Sequence, residues 1–134
     1  MNSLTWTPST LRFTGSSEHG DFLQIDGKSE AGISPMDVLL QSLAACTGID
    51  MVTILERMRQ PLEGLRIEVG GTREEFREAK PWKTVEVKFY LKGDLDPAKV
   101  QRAMDLSFEK YCSVSLTLRG NVTVSGSFEI EAAG

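Results

Sequence analysis

Two cysteines, Cys46 and Cys112, are the only thiols in the 134-residue chain, and their surroundings differ. Cys46 lies in SLAACTGID, a run that reads as helix. At about 100° per residue, Ser42, Cys46, Asp50, Thr53 and Arg57 fall in one polar band on an otherwise apolar element. Cys112 follows one helical pattern and precedes a short turn, where free backbone N–H groups favour a thiolate. Lys110 and Arg119 are close enough in sequence to add positive potential. Asp50, one turn beyond Cys46, opposes a thiolate there by like-charge repulsion. A reactive Cys46 therefore needs a cation from another element, because Arg57 lies too far along the helix. Arg12, on a strand, is the candidate by residue type and location. The plainer reading of Cys46 is a small apolar residue filling space. A metal site built from His19 and the cysteines is a third reading, but one histidine and two distant cysteines lack ligand spacing. His19 in SSEHGD reads as a solvated turn residue.

The element that must position Cys46 runs 34–58, SPMDVLLQSLAACTGIDMVTILERM. Ser34 is a capping residue, Pro35 suits the first helical turn, and Asp37 completes a variant of the capping box. Apolar residues occupy most of its circumference, so the spacing predicts a long helix buried in the core. Before it, residues 1–33 read as a small antiparallel unit. Leu11 and Phe13 alternate with polar neighbours, GSSEHGD turns the chain, and Phe22–Ile25 returns. After it, residues 65–92 read as a hairpin with strands at Leu65–Val69 and Val85–Leu91. Gly70-Gly71 is a bulge or bend, and Glu74, Glu75 and Glu78 belong to a solvated tip. Asp96 and Pro97 open a second helix, 96–111. Ser113 or Ser115 caps a short turn through Leu118, and a final strand at 121–131 has Gly126 as a kink. The order β-β-α-β-β-α-β predicts one α+β domain with mostly antiparallel strands. Trp6, Trp82 and Tyr90 are expected in the core or at an interface. Three strand groups and one further helix are little cover for so apolar a helix. A second subunit in a twofold dimer is expected to complete the core.

The net charge of −4, with no basic cluster, argues against nucleic acid or an anionic membrane as partner. The charge-free apolar segment Val38–Ile49 is too short to cross a bilayer. The first residues, MNSLTWTPST, lack the basic and apolar regions of an export signal. Two cysteines without such a signal point to a reducing compartment, and a cytoplasmic protein is expected. The Gly70-Gly71 pair is not a phosphate loop, since no Lys-Ser/Thr follows.

SPMDVLLQSLAACTGIDMV, then PLEGLRIEV, then DLDPAKVQRAMDLSFEKYCSVSLTL resemble the OsmC/Ohr superfamily, and within it the OsmC-like, YhfA-type branch. The resemblance spans nearly the whole chain. It implies antiparallel sheets around a long buried helix, in an intertwined homodimer with two thiol sites at the subunit interface. It also implies a peroxiredoxin-like thiol peroxidase that reduces organic hydroperoxides in oxidative-stress defence. By position, Cys46 would be the attacking thiol, Cys112 the resolving thiol and Arg12 the activating arginine. An external dithiol, lipoyl-type in relatives, would restore the pair, with no metal or organic cofactor. The chain departs from the active relatives at three places. Met36 stands where they carry a glutamate that holds the arginine, Arg12 lies in LRFTG rather than a Gly-Arg context, and no proline follows Cys112. The competing expectation is a non-catalytic dimer with the same fold that senses oxidants or holds an apolar ligand.

Overall fold

The computed structural model describes residues 1–20 and 22–134. Asp21, the last residue of the turn expected at GSSEHGD, lies outside the described residues. The elements are β1 (Ser3–Trp6), β2 (Arg12–Ser16), β3 (Phe22–Asp26), α1 (Pro35–Arg57), β4 (Leu62–Arg73), β5 (Trp82–Gly93), α2 (Pro97–Leu106), a π-helical turn (Ser107–Tyr111), α3 (Ser113–Leu118) and β6 (Thr123–Glu131). The chain forms two compact units, Met1–Leu39 and Leu40–Gly134, with the division inside α1.

The first unit holds an antiparallel sheet in the order β1-β2-β3. The alternation predicted β2 and β3; β1 was not predicted and pairs Trp6 with Phe13 across the ladder. The register puts Leu4, Trp6, Phe13, Leu23 and Ile25 on one face, because alternate residues share a face of a pleated sheet. Among the described residues, Asp26 is the only buried residue of Met1–Leu39. Its carboxylate gathers the loop that follows. Oδ1 accepts from the Lys28 N–H at 2.9 Å, and Oδ2 from the N–H groups of Glu30 at 3.2 Å and Ala31 at 2.9 Å. Those backbone donors, led by Lys28 and Ala31, hold its pKa below the usual 3.8 against the opposing effect of burial. At the start of α1, the Asp37 N–H donates to Ser34 Oγ at 3.2 Å, and Ser34 Oγ–H donates to the Asp37 carboxylate at 3.0 Å. This is the predicted capping arrangement.

In the second unit the sheet order is β4-β5-β6. β4 and β5 are antiparallel, whereas β6 runs parallel to β5. The parallel pairing follows from the connection, since a helical crossover through α2 and α3 returns the chain in the same direction. The central strand buries Val85, Val87, Phe89 and Leu91 and turns Glu86, Lys88, Tyr90 and Lys92 outward. One cluster joins those side chains to Leu43, Met51 and Leu55 of α1 and to Val100, Ala103 and Met104 of α2. Tyr90 is therefore not a core aromatic: it lies on the outer face, with the Arg66 guanidinium 4.1 Å from its ring centre. Trp6 is exposed as well, its indole N–H donating to the Thr10 carbonyl at 2.8 Å.

Three glycines act differently from expectation. β6 passes through Gly126 without a break, so Gly126 is no kink. A Cβ there would lie 2.5 Å from the Phe108 ring and 2.9 Å from Met104 Sδ, so its bare backbone lets α2 and the π-helical turn sit on the sheet. Pairing likewise continues through Gly70-Gly71, and the irregularities fall instead at Leu62/Gly64 and Thr72/Arg73.

α1 is not buried all round. Leu40, Leu43, Ala44, Thr47, Gly48, Met51, Ile54 and Leu55 are buried, while Ala45, Ile49 and Val52 are exposed. One chain's sheet can cover only one side of a helix. By length and hydropathy the 23-residue helix passes as a membrane span, contrary to the expectation from Val38–Ile49. Its packing in the core cluster, and the hydrogen bond made by Asp50, place it as a core helix.

Candidate active site

The polar band on α1 is present, and it is graded. Ser42, Thr53 and Arg57 are exposed, whereas Cys46 and Asp50 are half-buried. The Thr53 hydroxyl turns back to the Ile49 carbonyl at 2.6 Å, and Arg57 ends the helix. The chemistry-bearing part of the band is thus its middle turn, Cys46 to Asp50.

The second helix brings Cys112 to that turn. α2 stops at Leu106, and the chain continues as a single π-helical turn, Ser107–Tyr111. Such turns open the regular ladder and recur at functional sites. Here the Cys112 N–H donates to the Ser107 carbonyl at 2.7 Å. The Ser107 side chain is fully buried, and its hydroxyl donates to Asp50 Oδ2 at 2.8 Å. Ser107 thus touches both the α1 band, through its side chain, and Cys112, through its main chain.

Cys112 caps α3 itself, which corrects the expectation of a cap at Ser113 or Ser115. Its Sγ accepts the Ser115 N–H at 3.3 Å and its carbonyl accepts the Leu116 N–H at 3.0 Å. The thiol is completely buried and lies close enough to Cys46 for that thiol to bear on its ionisation. Burial dominates its ionisation. It pushes the pKa from 9.0 up to about 11, the Ser115 N–H pulls the other way, and the Cys46 thiol and Asp50 charge push it further up. The sequence expectation of a thiolate at Cys112 is therefore overturned, because desolvation outweighs one capping N–H. Lys110 and Arg119 are not among these influences; the Lys110 ammonium lies over the Tyr111 ring at 5.2 Å from its centre.

The two thiols, 66 positions apart in sequence, are thus brought together inside one unit. Arg12, Met36 and His19 belong to Met1–Leu39. The Arg12 Nε lies 3.4 Å from Asp26 Oδ2. Met36 occupies the first turn of α1. His19 is exposed beside Glu18, at 3.6 Å, and among the described residues no group of three or more His, Cys, Asp or Glu is arranged to hold a metal ion. From sequence, Ser107 has no role beyond membership of the second helix, 96–111. A usable signal was present: a serine on the buried stripe with Val100, Ala103 and Met104 must find a hydrogen-bond partner.

The sequence and fold of the chain match those of known proteins. A model of the OsmC-like protein family matches residues 26–126. The chain is 38% identical over 127 residues to protein YhfA of Escherichia coli K12, covering 92% of each. Its fold matches the crystal structure of a hypothetical protein from Aquifex aeolicus at TM-score 0.89 and 27% identity, covering 100% of this chain and 97% of that one. It also matches an organic hydroperoxide resistance protein OsmC from Legionella pneumophila at TM-score 0.71, covering 96% and 95%; at 17% identity this likeness concerns the fold alone. On these matches the chain belongs to the OsmC family.

Proposed function

We propose that this protein is a cytoplasmic, dimeric thiol peroxidase that reduces organic hydroperoxides with its Cys46–Cys112 pair. The observation that carries the reading is the asymmetry of the two thiols. Cys46 is half-buried on the α1 band, while Cys112 is sealed, neutral and in reach of it. That is the division of labour of an attacking and a resolving cysteine. The Cys46 thiolate takes the distal oxygen of ROOH, the O–O bond breaks, and ROH leaves with a proton, giving Cys46–SOH. The Cys112 thiol then attacks that sulfur. An S–S bond forms, the S–O bond breaks, and hydroxide leaves with the thiol proton as water. An external dithiol reduces the disulfide and is itself oxidised. Apolar hydroperoxides suit a site between core helices, and no metal or organic cofactor takes part in this cycle. The activating role of Arg12 is assigned by resemblance.

A dimer is part of the reading. Ile49 and Val52 on α1 are 65% and 46% exposed, and Leu4, Trp6 and Phe13 form an apolar sheet face exposed at 61%, 53% and 38%. Apolar surface of this kind is ordinarily covered.

The test is consumption of cumene hydroperoxide by the purified protein with dihydrolipoamide. Turnover over many cycles is expected, abolished in Cys46→Ser. Cys112→Ser should stop at one sulfenic acid per subunit, and Arg12→Ala should slow the first oxidation. A second reading, a stoichiometric oxidant sensor, is favoured by Met36 at the family's glutamate position and by the Arg12–Asp26 pair. One oxidation per subunit with no turnover in the unmodified protein would select it.

A further inference from the structure

Asp50 and Ser107 have no part in the thiol cycle as written, yet they join the two segments that carry it. Asp50 lies one turn beyond Cys46 on the same face of α1. Its Oδ2 accepts a hydrogen bond from the Ser107 hydroxyl at 2.8 Å. The Ser107 N–H is shared between the Ala103 and Met104 carbonyls, and its carbonyl takes the Cys112 N–H at 2.7 Å. Every polar atom of Ser107 is therefore engaged, and two of its bonds lead to opposite sides of the thiol pair. A π-helical turn closes its hydrogen bonds over one residue more than an α-helix, and such turns recur at functional sites. A carboxylate acceptor makes the Ser107 hydroxyl bond stronger than a neutral one would. The same carboxylate raises the Cys112 pKa and so does not serve to ionise it. Its contribution is mechanical.

We infer that Asp50 and Ser107 are positioning residues: their hydrogen bond clamps the π-helical turn to α1 and keeps Cys112 opposite Cys46, setting how readily the two form a disulfide. This rests on the Cys46–Cys112 pairing of the proposed function and names the residues that regulate it. The clamp favours ring closure because it fixes the partners before the bond forms.

The experiment is thiol–disulfide equilibrium of the whole protein in glutathione buffers, in which both thiols and glutathione disulfide give the protein disulfide and two glutathione thiols. Ser107→Ala and Asp50→Ala should each shift the constant toward the dithiol by about tenfold. Together they should shift it no further than either alone, since both remove one bond. Asp50→Asn keeps an acceptor oxygen and should recover most of the shift. The alkylation rate of Cys112, read by mass spectrometry, gives a second measure and should rise about tenfold in Ser107→Ala as the turn loosens. The inference is overturned if Ser107→Ala moves neither quantity, or if Asp50→Asn behaves as Asp50→Ala, which would make the charge and not the bond the cause. Should Ser107→Ala fail to fold, the two Asp50 variants decide. Absence of any disulfide in the unmodified protein would count against the proposed function, and the alkylation rates would still judge the clamp.

Discussion

The two sheets of this molecule are built on opposite interiors. In Leu40–Gly134, the central strand β5 buries Val85, Val87, Phe89 and Leu91 beneath helices. In Met1–Leu39, the one buried residue among those described is a carboxylate, Asp26, and the apolar side chains Leu4, Trp6, Phe13 and Leu23 remain exposed. The difference concerns where each region draws its stability. Leu40–Gly134 carries its own apolar core, and it also carries both thiols. Met1–Leu39 is organised by convergent hydrogen bonds on Asp26 and leaves its apolar face exposed.

The largest test of that contrast is Phe89→Ala. Phe89 is fully buried and its ring centre lies 6.3 Å from that of Phe108. Truncation removes apolar contact and leaves a cavity, so stability in urea should fall by about 3–5 kcal/mol. Cys112 should become reactive at the same time, since its burial depends on the same cluster. A loss under about 1 kcal/mol would mean that β5 does not hold this core together.

Trp6→Ser with Phe13→Ser probes the other sheet. On an isolated protomer these exposed positions should cost about 0.5 kcal/mol or less. If a second copy covers them, aromatic anchors contribute about 2 kcal/mol or more to association, and the dimer should dissociate about 30-fold more readily. Sedimentation velocity reads the outcome. An unchanged dimer would move the interface away from the β1–β3 face.

The same contrast explains what could be read from the chain. Period-two alternation in Val85–Leu91 gave β5, and the Ser34, Pro35 and Asp37 pattern gave the start of α1, because both signals are local. The apolar run of α1 foretold burial but not its one-sidedness, which depends on what a single sheet can cover. β1 was missed because SLTW is short and its pairing depends on β2. The two cysteine contexts marked the site. The state of Cys112 was misread, since sequence reveals a helix start but not the desolvation that outweighs it. Ser107 and the π-helical turn escaped notice because SFEKY carries no glycine or proline to mark a change of helix.

The smallest effect is expected at Asp26, and it bears on the carboxylate-centred half alone. Four donors converge on this side chain: the Lys28 N–H on Oδ1, and the N–H groups of Glu30 and Ala31 with Arg12 Nε on Oδ2. An asparagine has the same shape, but one of its two terminal atoms is itself a donor and must face N–H groups. Because the folded pKa of Asp26 lies below 3.8, its contribution to stability is full above that value and is lost as pH falls through the lowered folded pKa. Protection of the Lys28, Glu30 and Ala31 amides, relative to their intrinsic exchange rates at each pH, should therefore be high at pH 6 and fall in strong acid. In Asp26→Asn that protection should already be low at pH 6, with no further acid step from this group. The β5 amides should stay protected in both proteins under both conditions, as their hold on the fold contains no such charge. If instead protection at Phe89 falls together with that at Ala31, the carboxylate hub supports the apolar core, and the two halves are not independently stabilised.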